Sequence, residues 1–373
     1  MNRAPVAAFA LLGLTVACFV APVLPAAQPG EATGATQLGG PTTNSSPPAV
    51  KQSRRPAVQS RVYPALGSIE RLDPALDALV PSETRIEKLV GGLEWAEGPV
   101  WDRKTGMLLF SDIPRNVVFQ WLENVGTRDY LLPSGYTGGA GRGGEQGSNG
   151  LTFDRDHHLV LCQHGDRCVA RLENDGRFTP LAQYYTHRRF NIPNDLVFRT
   201  NGDLYFTDPP YGLEKQNGDA AKELPFNGVY LVRAKGEVVL LTRDLTFPNG
   251  LAFSPDEQTL YVAVSDPALP MIMAYKLKRD GTLGEGRIFF DASSLAAKNP
   301  GLPDGLKVDV RGNLFATGPG GVLVLSPQGN HLGTIRTGEL VANCAWGGDG
   351  SVLYLTSDMY LCRVKTSTRG RIP

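Results

Sequence analysis

The sequence predicts an all-β chain folded as a six-bladed β-propeller, and three observations carry that expectation. Its 373 residues include 43 Gly and 28 Pro, about 19% of the chain against roughly 12% in average usage, so turns are frequent. Between the turns lie short alternating runs rich in Val, Leu, Phe and Tyr. Arg199-Thr200-Asn201-Gly202-Asp203 leading into Leu204-Tyr205-Phe206-Thr207-Asp208 is one such hairpin signal. The third observation is repetition: an oxygen-bearing residue, most often followed by Gly, opens an alternating apolar run six times.

The chain begins with a segment that reads as an address rather than as fold. Met1 to Ala27 has the zones of an export signal: Arg3, an apolar run over Val6–Val20, then small residues at Ala21, Ala26 and Ala27. That run is short for a bilayer span of roughly 20 residues, so no membrane span is expected in the mature protein. Alternatives are an uncleaved anchor, or a lipid anchor at Cys18 in Thr15-Val16-Ala17-Cys18. Residues 28–60 are rich in Pro, Ser, Thr and Gly and cannot bury enough apolar surface to offset their ordering entropy. They read as a disordered tether on a periplasmic or secreted protein whose propeller spans residues 61–373.

Within that span, Thr84 to Gly92 precedes the first repeat and is expected to close the ring against the last blade. The repeats open at Glu97, Asn149, Asn194, Asn249, Asp304 and Asn343, with steps of 52, 45, 55, 55 and 39 residues. Each step suits a four-stranded blade. Each second strand ends on a polar or small residue: Asp112, His164, Asp208, Asp266, Gly318 and Asp358. Packed β-sandwiches would not produce phased copies. Helix is expected at most over Leu295-Ala296-Ala297-Lys298.

Composition narrows the function classes. Lys+Arg and Asp+Glu are both 37, which argues against nucleic-acid binding driven by charge. The first sixty residues hold Arg3, Lys51, Arg54 and Arg55 against Glu31, leaving the folded part mildly acidic. Five Cys and five His are too few for a disulfide scaffold or zinc clusters. Cys162 and Cys168 flank one turn and could pair across it, with inert buried thiols as the alternative.

Residues at one phase of successive blades form a ring around the central channel. Here that ring is Glu97, Asn149, Asn194, Asn249, Asp304 and Asn343, all oxygen-bearing. Any single Asn-Gly is an ordinary turn, but Glu-Gly-Pro is not a favoured one. Convergent oxygens without His or Cys suit a hard cation, Ca²⁺ or Mg²⁺.

The motifs also carry a resemblance. Leu93-Glu94-Trp95-Ala96-Glu97-Gly98-Pro99-Val100-Trp101, Ile192-Pro193-Asn194-Asp195-Leu196, Tyr205-Phe206-Thr207-Asp208-Pro209-Pro210-Tyr211-Gly212, Phe247-Pro248-Asn249-Gly250-Leu251 and Leu302-Pro303-Asp304-Gly305-Leu306 occur in order. Together they resemble the gluconolactonase, senescence-marker-protein (regucalcin) and luciferin-regenerating-enzyme family, with bacterial gluconolactonases nearest in character. The resemblance implies a metal-dependent hydrolase of a small lactone substrate. It implies one divalent cation, Ca²⁺ first with Mg²⁺ or Zn²⁺ as alternatives, held by Glu97, Asn194, Asn249 and Asp304. Asp304 is also implied as the acid/base group. Asn149, His164, Arg189 and Asp208 stand at phases or positions that suit substrate binding.

Other motifs carry less. No Gly-x-Ser-x-Gly nucleophile elbow occurs, and Gly139-x-Gly141-x-x-Gly144 lacks the βαβ setting of a dinucleotide site. Tyr136 to Ser148 reads as a loop over the channel mouth, with Arg142 and Glu145 within reach of a substrate. Trp101, Phe153 and Phe253 read as core aromatics. An arylesterase or organophosphate hydrolase on the same metal ring, and a non-catalytic binding propeller, are the competing functions. The second has no use for Glu97 and Asp304 buried together, where unpaired charge is costly.

Overall fold

The computed structural model describes residues 61–139 and 145–373. The expected export signal, tether, Cys18 and Arg142 lie outside the described residues. Six antiparallel sheets follow one another along the chain as the blades of a propeller. Their innermost strands are Ala96–Asp102, Ser148–Phe153, Leu196–Phe198, Pro248–Phe253, Leu306–Val308 and Asn343–Gly347. Each inner strand packs against the next, and the sixth packs against the first, so the ring is closed.

Closure uses the segment expected for it. Ile86–Gly91 pairs antiparallel with Tyr360–Lys365, so the sixth blade is built from both ends of the propeller. Two further strands upstream extend the pattern beyond four. Ser68–Arg71 adds a fifth strand to the fifth blade, and Ala65–Leu66 a fifth to the sixth. The helical turn forms at Ser293–Ala296, two residues earlier than the sequence suggests. Among the described residues, no helix is long and apolar enough to cross a membrane.

The core is divided among the six seams between neighbouring blades. Met107–Asp112 shows why: Leu108 and Phe110 enter the seam with the last blade, while Leu109 enters the seam with the second. Alternation of side chains places both sets in a core, because each sheet is covered on both faces. Trp101 stacks on Tyr354 in one seam at 5.4 Å between ring centroids, and Phe153 and Phe253 sit in two others. Cys162 and Cys168 lie on opposite faces of their hairpin, since Cys168 faces Gln163 and Cys162 faces Val169 across the ladder. All four described cysteines are buried free thiols.

Crowding at the axis explains the phased glycines. The inner strands of blades one, two and four each carry a register irregularity at the ring residue and its glycine. Gly98 has φ +50°, and a Cβ there would stand 2.0 Å from the Asn149 carbonyl oxygen. A Cβ at Gly250 would stand 2.3 Å from the Asp304 carbonyl oxygen. Gly250→Ala is therefore expected to lower stability by about 2–3 kcal/mol. Urea unfolding at equilibrium measures it, and an unchanged midpoint would show that the inner strands are not in close contact there.

Candidate active centre

The six ring residues stand where the phase places them, and five are nearly inaccessible: Glu97, Asn149, Asn194, Asn249 and Asn343 are 3–4% exposed. Asp304 is the exception, a half-buried carboxylate. A second set of phased residues fixes their backbones. Ser111 Oγ donates to the Asn149 carbonyl at 2.9 Å, and Thr317 Oγ1 to the carbonyls of Gly305 and Ala342 at 3.0 and 2.9 Å. Thr356 Oγ1 donates to the Asn343 carbonyl at 3.1 Å, and the Asp195 amide donates to Thr207 Oγ1 at 3.2 Å. Asn249 Nδ2 donates to Ser265 Oγ at 2.9 Å. Ser111, Thr207, Thr317 and Thr356 sit on the second strands of their blades and Ser265 directly follows one, each tying a ring segment or its neighbour in place.

Several ring atoms are left without a protein partner. The side-chain oxygens of Asn149 and Asn249 are buried and accept nothing, a condition that costs free energy unless a ligand supplies the interaction. Asn249 turns its amide nitrogen to Ser265, which leaves its oxygen aimed elsewhere. Glu97 accepts the Gly98 amide at 2.8 Å, and Asn343 is its side-chain neighbour. Asn343 is different: its oxygen accepts the Cys344 amide at 2.9 Å, and its nitrogen faces Asp195 at 3.5 Å.

The ring is electrostatically strained. Burial pushes the Glu97 carboxyl up to about 8, and the neighbouring Asp195 and Glu145 push the same way. Burial also holds Asp304 well above the usual carboxylate range, reinforced by Glu97, Asp195 and Glu145. Buried like charges favour the protonated form. Oxygen donors, two of them orphaned amides, with acids that resist ionising alone, fit a hard divalent cation.

Four other residues singled out from the sequence make contacts of their own. His164 is fully buried, with Nδ1 3.4 Å from a Glu145 carboxylate oxygen and no hydrogen bond to either ring nitrogen. Asp208 accepts the Asn191 amide at 2.8 Å, which braces the loop leading into Asn194; burial raises its carboxyl to about 7. Asp112 braces the loop before Glu97 in the same way, accepting the amides of Glu94 and Trp95. Arg189 Nη2 donates to the Asp166 carbonyl at 2.6 Å. Away from the ring, Asp154, Asp156 and His158 also bring ligand atoms together, but Asp154 already accepts the amides of Asp156 and His158.

Residues 95–359 match the family described as the SMP-30/Gluconolactonase/LRE-like region. The chain belongs to this family. It is 38% identical over 312 residues to a gluconolactonase of Zymomonas mobilis, covering 82% of this chain and 88% of that one. A solved gluconolactonase of Xanthomonas campestris superposes with a TM-score of 0.72 at 32% identity, covering 82% of this chain and 98% of the other. A calcium-binding regucalcin of Agrobacterium tumefaciens, at 20% identity and a TM-score of 0.60 over 75% and 92% of the two chains, shares the fold.

As a member of the SMP-30/gluconolactonase family, the chain places two further groups at the ring that sequence reading did not single out. Asp195 follows Asn194 where four other blades have Gly, and so puts a third carboxylate on the axis. Tyr211 has a buried hydroxyl without a hydrogen-bond partner, and Asn249, Ser265 and Asp304 are among the groups acting on it. The break in the X-Gly pattern was the available signal for Asp195. No periodicity marks Tyr211, which lies on a loop.

The raised carboxyls set a pH dependence for chelated protein. The folded state binds the Glu97 proton more tightly than the unfolded chain, so this group's stabilisation is complete below about 4.5 and is lost as pH rises through about 8. In EDTA, stability is expected to fall by on the order of 2–4 kcal/mol between those limits. Glu97→Gln should flatten that slope and Ca²⁺ should oppose it, both read by denaturant melts across pH.

Proposed function

We propose that this protein is a lactone hydrolase whose active centre is the axial ring. The observation that carries the reading is the carboxylate pair of buried Glu97 and half-buried Asp304 beside orphaned amide oxygens. The 38% identity to a gluconolactonase supports the same substrate class. Glu97, Asn194, Asn249 and Asp304 would hold one divalent cation, Ca²⁺ by the hardness of the donor set. When bound, it supplies Lewis-acid polarisation of the lactone carbonyl.

The chain's own groups do the rest. In the loaded ring Asp304 is a carboxylate and takes a proton from the attacking water as the new C–O bond forms at the carbonyl carbon. It returns that proton to the ring oxygen as the lactone C–O bond breaks. Asn149, His164 and the Tyr211 hydroxyl offer unsatisfied polar atoms to the substrate's hydroxyl groups. Arg189 and Asp208 act through the loops they hold.

Proton release on glucono-δ-lactone tests the reading. EDTA should abolish most turnover, and Asp304→Asn should lower kcat about 10²–10³-fold with the fold intact. Wild-type turnover in Asp304→Asn would remove that residue from the mechanism. Tyr211→Phe should cost about tenfold in kcat/KM on glucono-δ-lactone and little on δ-valerolactone, which has no hydroxyls. An equal fall on both would assign Tyr211 a structural part.

A further inference from the structure

A cavity of about 640 Å³ lies at the far ends of the same six inner strands, beyond the acid ring. Every blade contributes to it. Its walls are largely apolar, formed by Val100, Leu151, Leu196, Leu251 and Phe253 among others. They offer little to a polyhydroxylated sugar.

The charged groups around these walls are mainly basic: Lys307, Arg103, Arg155, Arg199 and Arg371. Two side-chain carboxylates also line the cavity beside the terminal Pro373, and both are committed to their own turns. Asp154 accepts the amides of Asp156 and His158, while Asp309 accepts those of Arg311 and Asn313 and the Thr368 hydroxyl. Glu257 engages Arg371 at 2.6 Å and Arg199 at 3.6 Å. Arg103 and Arg155 have no side-chain hydrogen bond or ion pair among the described residues.

Lys307 is the informative group. It is the only cationic residue on the six inner strands, where the neighbouring blades carry Val100, Thr152, Val197 and Ala252 three residues after their ring positions. Its ammonium meets two neutral acceptors, the Leu306 carbonyl at 3.1 Å and Asn343 Oδ1 at 3.5 Å. No carboxylate forms an ion pair with it among the described residues. A half-buried ammonium against apolar walls is costly without a counter-charge, and the cavity has room for one.

We propose that this cavity is a second binding site, for an organic carboxylate with an apolar body. The carboxylate pairs with Lys307, the apolar chain lies along the aliphatic walls, and Arg103 and Arg155 at the rim draw the anion in. The site is separate from the proposed catalytic ring. Asn343 stands between the two, joined to Lys307 on one side and Asp195 on the other.

The test titrates decanoate into the full chain in calcium-containing buffer by calorimetry, with decanol as the neutral comparison. Decanoate is expected to saturate at one per chain, with decanol roughly tenfold weaker or more. Lys307→Met should weaken decanoate by a similar factor. The exposed pair Arg103→Glu and Arg155→Glu, which leaves the core untouched, should weaken it several-fold and more strongly at low salt. Equal binding of decanol and decanoate, or no saturation, would overturn the proposal. So would binding that survives Lys307→Met and vanishes in EDTA, because that places the carboxylate on the metal ring.

Discussion

Everything at the centre of this protein depends on how closely the six inner strands approach the axis. The backbone of one blade's X-Gly step lies against the ring segment of the next. Gly150 donates its amide to the Asn194 carbonyl at 2.8 Å, and Gly305 donates to that of Ala342 at 2.8 Å. Such contact between backbones leaves no room for a Cβ at Gly98 or Gly250. It also forces the residue before each glycine toward its equivalents across the axis. The composition of the ring and the glycines beside it are thus one constraint seen twice.

That proximity has an electrostatic cost, and the surroundings are arranged to bear it. Glu97, Asp195 and Asp304 are brought together at the axis, where like charges raise the proton affinity of Glu97 and Asp304. The hydroxyls of Ser111, Thr207, Thr317 and Thr356 hold the backbone against the resulting repulsion by bonding its polar groups. They leave the side-chain oxygens of Asn149 and Asn249 uncommitted. A centre with its scaffold satisfied and these side-chain oxygens unsatisfied is costly until a ligand meets them. On the other side of Asn343, Lys307 shows the opposite imbalance, a positive charge with neutral partners.

The blade count, the ring residues and the closing strand were legible because they repeat, and repetition turns a weak local signal into a strong one. Asn-Gly alone is a turn; six oxygen-bearing residues at one phase are a ring. The phased second-strand ends were visible too, but their work was not. Asp112 and Asp208 hold loop amides, a role fixed by backbone geometry that composition does not encode. Tyr211 and the Glu145–His164 approach depend on loops crossing the mouth, where no period applies. The fifth strands Ala65–Leu66 and Ser68–Arg71 escaped notice because each is only two to four residues long and pairs with partners more than twenty residues away in sequence or near the other end.

The closing strand carries a consequence for the order of events during synthesis. Ile86–Gly91 finds its partner only when Tyr360–Lys365 has been made, and Glu97 meets its neighbours across the axis only when the ring is shut. A ribosome-bound chain can therefore build individual hairpins early, since their contacts are local, while the non-local pairing waits for Tyr360–Lys365. The acidic centre cannot exist in a partly made chain. It comes into being in one late step, together with the completed ring.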